Sequence, residues 1–298
     1  MHKQDKYRSE DKKDKIYTRY YRLFLFISLS LLIVSIVYLI IFYIKTGDIM
    51  YKDVSLTGGS TITVYSDINI NKIKPYLPKD SVVRQLSDLQ TGKQIAFSVE
   101  TTLNVSIIKS RLQEILGYNL TEENSSIEFT GSALSESFYM DLIRALVVAF
   151  ILMAAVVFFI FRTPVPSIAV ILAAVTDIIV TLAIIDFFGL RLSTAGIAAF
   201  LMLLGYSVDT DIMLTNRVLK RKESLLDERV ISALSTGMTM TLTSFIAIFS
   251  AFLVSLHISS VLTEIFMILS IGLVVDIIST WLGNASILVM YCKKKNIV

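Results

Sequence analysis

Six long apolar stretches constrain this chain more than any other feature, because each is long enough to cross a lipid bilayer. A membrane-spanning helix needs about 20 mainly apolar residues. We number the stretches spans 1 to 6, and they cover residues 23–44, 138–161, 167–188, 192–215, 233–256 and 259–291, the last being long enough to include a turn or a tilted end. Because 54% of the 298 residues are hydrophobic, the chain is too apolar to be a soluble domain of this size, and the composition predicts a multi-pass membrane protein.

The basic residues near the span ends predict the orientation of the chain. Eight Lys or Arg residues lie in the N-terminal segment 1–22, further basic residues lie in segment 216–231, and Lys293, Lys294 and Lys295 lie in the C-terminal segment 292–298. Cytoplasmic loops are enriched in Lys and Arg. We therefore expect both termini in the cytoplasm, with spans 2 to 6 inside 138–291, in the cytoplasmic membrane.

The segment between the first two spans, residues 45–137, has the pattern of a separate α+β domain. Residues 60–67 alternate as a strand, 69–78 suit a short helix that ends at a proline, and 81–100 read as two strands around Thr91-Gly92. Residues 102–119 have helical spacing, and 125–131 form a last strand. The order β-α-β-β-α-β is that of the ferredoxin-like motif, so we expect an exported ferredoxin-like domain.

The segment 216–231, between spans 4 and 5, is amphipathic. Its apolar residues recur on one helical face and its charges occupy the rest. The pattern fits a solvated loop helix, and it also fits a helix that lies in the cytoplasmic interface of the membrane.

Several function classes find no support in the sequence. The net charge of +3 is too small to indicate a nucleic-acid partner, and the single cysteine, Cys292, allows no internal disulfide. His2 and His257 lie far apart and show no metal-ligand spacing. The stretch LTGGS is too short for a phosphate-binding loop. We expect no cofactor, no metal site and no enzymatic activity.

Four of the aspartates within the spans are candidates for a polar interior, and they are costly because a carboxylate at mid-bilayer costs about 2.5–3.5 kcal/mol on insertion scales. They are Asp177 in span 3, Asp209 and Asp211 in span 4, and Asp276 in span 6. At 100° per residue, Asp209 and Asp211 lie about 200° apart on the helix, so they cannot face one partner. We expect Asp209 to be the interior carboxylate and Asp211 to lie nearer the cytoplasmic exit or in helix packing.

Span 5 adds a stripe of hydroxyls, Thr236, Thr239 and Thr243, and the cores of spans 3 to 6 contain no basic residue to neutralise the aspartates. A shared polar interior follows, in which the carboxylates are protonated, hydrated or bound to a cation. Each group also has a simpler interpretation. A buried aspartate can bond hydroxyls of a neighbouring helix, and hydroxyl stripes often serve helix packing.

Four sequence segments resemble those of the SecF family of protein-export membrane proteins. The fourth-span motif LGYSVDTDIMLTNRV contains Gly205, Tyr206 and Ser207, and DVSLTGGSTITV contains Thr57, Gly58 and Gly59. The third span, VTDIIVTLAIIDFFGLRLS, and the last, IGLVVDIISTWLGNASIL, are similar to the corresponding family segments. The resemblance covers nearly the whole chain in the correct order, apart from the charged first twenty residues.

The resemblance implies an architecture and a set of partners. SecF pairs with SecD in a twelve-span unit of RND-like architecture, so this chain would be a six-span half-unit with one exported domain. It would assist movement of unfolded preprotein through a SecY-type channel, across and into the lipid membrane, driven by a proton or cation gradient. Its face toward SecD would include Gly205, Gly237 and Gly272.

Two departures from the bacterial pattern indicate an archaeal type of SecF. The acid of the bacterial fourth-span motif aligns with Thr210, which lies between Asp209 and Asp211. The position of the bacterial fifth-span arginine falls near Thr236, and this chain has no arginine there. The bacterial coupling mechanism therefore does not transfer directly. Three alternatives remain: a structural scaffold for SecD without ion coupling, an RND-type exporter of small molecules, and an intramembrane aspartyl protease, which the missing Gly-x-Gly-Asp motif disfavours.

Overall fold

The computed structural model describes residues 16–78, 81–88, 91–220, 225–256 and 258–296, so His2 and His257 lie outside the described residues. In chain order the elements are α1 (Ile16–Thr46), α2 (Val54–Thr57), β1 (Gly59–Val64), α3 (Ile70–Ile73) with a 3₁₀ turn (Lys74–Tyr76), β2 (Val82–Ser87), β3 (Gln94–Thr101), α4 (Val105–Leu116), β4 (Ser125–Thr130), α5 (Ser132–Phe161), α6 (Pro164–Phe187), α7 (Thr194–Lys220), α8 (Leu226–Ser255), α9 (Ser260–Ile278), a π-helical segment (Ser279–Asn284) and α10 (Ala285–Lys294).

Six helices of the described residues are long and apolar enough to cross a membrane, which confirms the six-span prediction. The sixth is the continuous run of α9, the π-helical segment and α10, where the sequence predicted a turn or a tilt. Helices α6 and α7 form the centre of the bundle, because 56% of the most apolar window of each is buried, against 6% for α5 and 11% for α8. Helices α5 and α8 therefore present large apolar surfaces outward.

The domain between the first two spans has the predicted ferredoxin-like arrangement. Its four strands are antiparallel in the order β2-β3-β1-β4. Helices α3 and α4 pack on one face of the sheet, where Ile62, Phe97, Ile108 and Leu112 form the core. Helix α4 begins where the Asn104 side chain accepts a hydrogen bond from the Ser106 amide, 3.1 Å away.

The expected amphipathic helix over 216–231 is wrong as a single element. Helix α7 continues to Lys220 and α8 begins at Leu226, while residues 221–224 lie outside the described residues. The apolar positions of the segment, including Val218 and Val230, are buried in a cluster with Trp281. These side chains pack against other helices of the bundle at the ends of α7 and α8. The sequence pattern showed an apolar face but not the surface that would cover it.

Candidate functional site

Three aspartates from three different helices come together in the interior of the bundle. Asp177 lies in α6, Asp211 in α7 and Asp276 in α9, and none of them is more than 1% exposed. We call this group the membrane cluster. Such burial is expensive for carboxyl groups unless other groups compensate for it.

Hydroxyl and amide groups supply the hydrogen bonds of the membrane cluster. The Ser207 hydroxyl donates to Asp177 Oδ2 over 2.5 Å, and the Ser279 hydroxyl donates to the other oxygen of the same carboxyl group. Asn284 Nδ2 donates to Asp211 Oδ1 over 2.7 Å. Thr280 Oγ1 lies 2.9 Å from Asp211 Oδ1 and 3.2 Å from Asp276 Oδ1. Since a hydroxyl carries one proton, Thr280 can donate to only one of these two carboxylates at a time.

The π-helical segment provides three of these donors. Ser279, Thr280 and Asn284 all lie within it and are at most 1% exposed. A π-helical turn inserts extra residues into an α-helix and often occurs at functional sites. Here it brings the hydroxyls of two consecutive residues to different carboxyl groups, Ser279 to Asp177 and Thr280 to Asp211 and Asp276.

The membrane cluster has no basic partner among the described residues. Asp177 acts electrostatically on Asp211, Asp177 and Asp211 act on Asp276, and the hydrogen-bond donors are neutral. Asp211 Oδ2 and Asn284 Oδ1 are buried without a hydrogen-bond partner among the described residues. Three ionised carboxylates in this setting would be strongly unfavourable, so the arrangement is suited to holding protons.

A small cavity adjoins the membrane cluster. It has a volume of about 10 Å³ and lies between α1, α6 and the π-helical segment, with Ser28, Thr176, Ser279 and Asn284 among its lining residues. This volume is close to the minimum that holds one water molecule. Gly283 faces Ser28 of α1, and a side chain at this position would meet the Ser28 hydroxyl. The first span therefore borders the polar interior.

The expected placement of Asp209 and Asp211 is corrected by the structure. Asp211 is fully buried in the membrane cluster, whereas Asp209 is exposed on the outer face of α7 together with Gly205 and Tyr206. The 200° separation predicted from the helical period holds. The direction of each side chain was wrong because it depends on which helices pack around α7, and the sequence of α7 does not specify them.

The hydroxyl stripe of span 5 lies away from the membrane cluster. Thr236 is half-buried, while Thr239 and Thr243 are exposed, and each hydroxyl donates to a carbonyl of its own helix, over 3.3, 2.8 and 2.8 Å respectively. The shared interior predicted for this stripe and the aspartates is therefore corrected. Hydroxyls that bond their own helix need no polar partner, so the stripe can face outward.

The motif residues have distinct structural positions. Ser207 is the buried donor to Asp177, while Thr57 is exposed at the end of α2. Gly58 and Gly59 have φ angles of 80° and 153°, and side chains there would strike the backbone of Ser132 and Thr101. Among the small residues predicted to face a partner, Gly205 is open, whereas Gly237 packs on Trp281 and Gly272 on Leu203 inside the chain.

Sequence reasoning missed Thr280 and Asn284 as members of the site. Thr280 and Asn284 follow Asp276 at intervals of four residues, which is the spacing of one helical face. The π-helical segment contains both residues, and both are buried. The recurrence of polar residues at 276, 280 and 284 was the available signal.

Comparisons with known proteins identify close similarities over most of the chain. The family model described as protein export membrane protein SecD/SecF, C-terminal, matches residues 107–294. The chain is 39% identical to the protein-export membrane protein SecF of Methanocaldococcus jannaschii over 246 residues, which cover 80% of this chain and 86% of that protein. It is 35% identical to SecF of Pyrococcus furiosus, over 88% of each chain.

The fold is also similar to a solved structure. SecDF of Thermus thermophilus, described as a translocon-associated membrane protein, superposes with a TM-score of 0.70 at 19% sequence identity, and the match covers 93% of this chain. This chain spans only 38% of that SecDF chain. A structure of SecDF in a super-membrane-facing form matches with a TM-score of 0.64 over 94% of this chain.

Proposed function

The chain belongs to the SecD/SecF family of protein-export membrane proteins, in its SecF branch, and we propose that it assists movement of unfolded preprotein through a SecY-type channel together with SecD. The observation that carries this proposal is the 39% identity to an archaeal SecF over 86% of that protein. The chain corresponds to 38% of the SecDF chain, so a second subunit would supply the remainder of an RND-like unit.

The exposed face of α7 supports a helical partner in the membrane. Asp209 is exposed on this face in the isolated chain, at a depth where contact with lipid is unfavourable for a carboxylate. Gly205, one turn away, is also open, and a small residue lets another helix approach closely. We propose that SecD covers this face and supplies polar groups to Asp209.

The membrane cluster supports coupling to an ion gradient. Its carboxyl groups are held by hydroxyls, which can donate to an ionised carboxylate or accept from a protonated one. Asp177, Asp211 and Asp276 could therefore gain and lose a proton or cation with little rearrangement. In this proposal the cluster takes the interior role that the sequence analysis gave to Asp209, and the exported domain moves in response.

The proposed orientation places both termini in the cytoplasm and the ferredoxin-like domain outside, as the basic residues predict. Cysteine labelling with a membrane-impermeant reagent tests it at two exposed positions, Lys93 in the domain and Lys295 at the C-terminus. Labelling from outside is expected at Lys93→Cys alone. Labelling of both positions from the same side would refute the orientation.

Two other functions remain compatible with the fold. A scaffold that holds SecD without ion coupling would use the open face of α7 and leave the membrane cluster purely structural. An RND-type exporter of small molecules would need a path for its substrate. The similarity to protein-export relatives over most of the chain favours protein export over export of small molecules.

The proposal is tested in cells whose own copy of the gene is replaced by a tagged one. Secretion of a reporter protein and co-purification of SecD from native membranes are the measurements. We expect SecD to co-purify and secretion to fall when the chain is depleted. A chain that purifies without SecD, in cells that secrete normally after its depletion, would overturn the proposal.

A further inference from the structure

A second group of buried acids lies where the ferredoxin-like domain meets the membrane helices. Asp53 is in the linker between α1 and the domain, Glu100 is in β3, and Glu264 is in the first turns of α9. They are 6%, 7% and 6% exposed, respectively. We call this group the junction cluster.

The sheet places Glu100 at this junction. Successive side chains of a strand point to opposite faces. Phe97 and Val99 point into the domain core, so Ser98 and Glu100 point to the opposite face, where they are also buried. The electrostatic neighbours of Glu100 are Asp53 in the linker, Glu264 in α9 and Arg84 in β2. The part of the second face that carries Ser98 and Glu100 is therefore covered, close to the linker and to the start of α9.

Hydrogen bonds to backbone groups join the linker and α9 to residues 192–193, which directly precede α7. The Asp53 amide donates to the Leu192 carbonyl over 2.9 Å, and the Leu192 amide donates to the Tyr51 carbonyl over 2.7 Å. The Asp53 carboxylate accepts from the Val54 amide over 2.7 Å. Glu264 Oε1 accepts from the Ser193 amide over 2.7 Å. Asp53 and Glu264 are thus occupied as acceptors of backbone amides.

Glu100 is the member that has no backbone donor in its contacts. Its ion pair with Arg84 joins two strands of the same sheet, with Arg84 Nε 3.3 Å from Glu100 Oε1. Its carboxyl group also lies within hydrogen-bonding reach of the Asp53 carboxyl group. Two carboxyl groups can share a hydrogen bond only if one of them carries a proton. This contact joins the domain to the linker.

The charges around Glu100 favour its protonated form. Burial raises the pKa of Glu100 to about 7, the negative charge of Asp53 adds to this rise, and Arg84 partly opposes it. Glu128 of β4 and Glu100 both pair with Thr61, so their side chains lie on the same face of the sheet. Glu128, in contrast to Glu100, is exposed.

We propose that Glu100 is a pH-sensitive latch: with a proton shared between Glu100 and Asp53 the ferredoxin-like domain stays docked on the membrane helices, and loss of that proton releases it. When the proton leaves, Asp53 and Glu100 carry two negative charges beside the single positive charge of Arg84, and Glu264, which is also buried, adds a third where it is ionised. Repulsion then acts between the sheet and the elements fastened to the membrane domain.

The direction of the pH dependence follows from linkage. In the undocked state Glu100 is solvated and its pKa returns toward the ordinary 4.5, whereas in the docked state it is about 7. The docked state therefore binds the proton more tightly, and docking is strongest at low pH. Docking weakens as pH rises from about 4.5 to about 7, by up to roughly three-hundredfold, and is constant above that range.

The test is a distance measurement on the full chain in lipid nanodiscs. Spin labels are attached at Lys93→Cys in the β2–β3 hairpin and at Phe188→Cys at the end of α6, both exposed, in a Cys292→Ala background. The distance distribution is recorded from pH 4.5 to pH 8. We expect one narrow distance at low pH and a longer or broader distribution at pH 8.

Three variants identify the titrating group. Glu100→Gln mimics the protonated carboxyl group and should keep the low-pH distance at pH 8. Asp53→Asn removes the opposing charge but keeps a good helix N-cap, and it should have the same effect. Glu128→Gln is the matched control on the same sheet face and should behave as the wild type. The measurement needs no export activity, so its result is independent of the proposed function.

A wild-type distribution that is unchanged between pH 4.5 and pH 8 would overturn the latch. It would also be overturned if the distance remained pH-dependent in Glu100→Gln, because another group would then titrate. A broad distribution of Glu100→Gln at every pH would show that the Arg84 ion pair, and not the shared proton, holds the domain.

Discussion

The two buried groups of acids differ in the chemistry of their hydrogen-bond donors. In the membrane cluster, Asp177, Asp211 and Asp276 are bonded by hydroxyl and amide side chains. In the junction cluster, Asp53 and Glu264 accept from backbone amides, and an arginine lies beside Glu100. Both groups have three carboxyl groups, but only the second has a positive charge among its described neighbours.

The type of donor determines whether a carboxyl group is held in one protonation state or can change it. A backbone amide can only donate, so a carboxylate bonded to it is stabilised in its ionised form. A hydroxyl can rotate and either donate or accept, so it suits both protonation states of its partner. In the proposed function the membrane cluster can therefore gain and lose protons, whereas Asp53 and Glu264 of the junction cluster serve as acceptors of backbone amides. Glu100, which faces a carboxyl group, is the exception.

The largest effect is expected from Asp211→Asn. The substitution keeps the shape and the contacts to Thr280 and Asn284 but removes the titrating group. We expect secretion of a reporter to fall to that of cells lacking the protein, with normal protein level and normal SecD co-purification. Glu264→Gln in the junction cluster is the matched comparison and should largely retain secretion. Equal losses in both variants would remove the distinction between the two clusters.

Glu264→Ala should have the largest effect on stability. It leaves the Ser193 amide buried without its acceptor, and such a loss costs about 1–3 kcal/mol. Glu264→Gln keeps an oxygen that accepts from this amide and should cost less. Thermal unfolding in detergent measures the two variants side by side. If they are equally destabilised, the negative charge rather than the amide hydrogen bond is what matters at this position.

Thr280→Val should produce a smaller loss of stability. Valine keeps the shape of threonine but removes the hydroxyl that lies between Asp211 and Asp276. Loss of a single side-chain hydrogen bond costs about 1 kcal/mol. Thr280→Ser retains the hydroxyl and should restore both unfolding temperature and secretion. A stable Thr280→Val that secretes normally would mean that the shared hydroxyl contributes nothing to the membrane cluster.

The sequence predicts the fold well and the site only in part. Length and hydropathy identify the six spans, and alternation identifies the strands of the domain, because these patterns follow from local geometry. The helical period gives the angle between Asp209 and Asp211 but not which of them faces inward. That choice depends on the neighbours of α7, which the sequence of α7 does not specify. Thr280 and Asn284 join the site from a π-helical segment that the sequence argument did not predict.

The smallest effect on the chain itself is expected from Asp209→Asn. Asp209 is exposed on α7, and substitutions of exposed residues usually change stability by no more than about 0.5 kcal/mol. The unfolding temperature of the isolated chain should therefore equal that of the wild type. If SecD covers this face, the same substitution should reduce SecD co-purification or secretion, because the carboxylate then meets polar groups of the partner.

Gly205→Leu, one turn away, should obstruct the same approach, whereas Met202→Leu, exposed on the same face, should not. Should Asp209→Asn and Gly205→Leu both leave association and secretion unchanged, the partner must cover another surface, such as the outward apolar faces of α5 or α8.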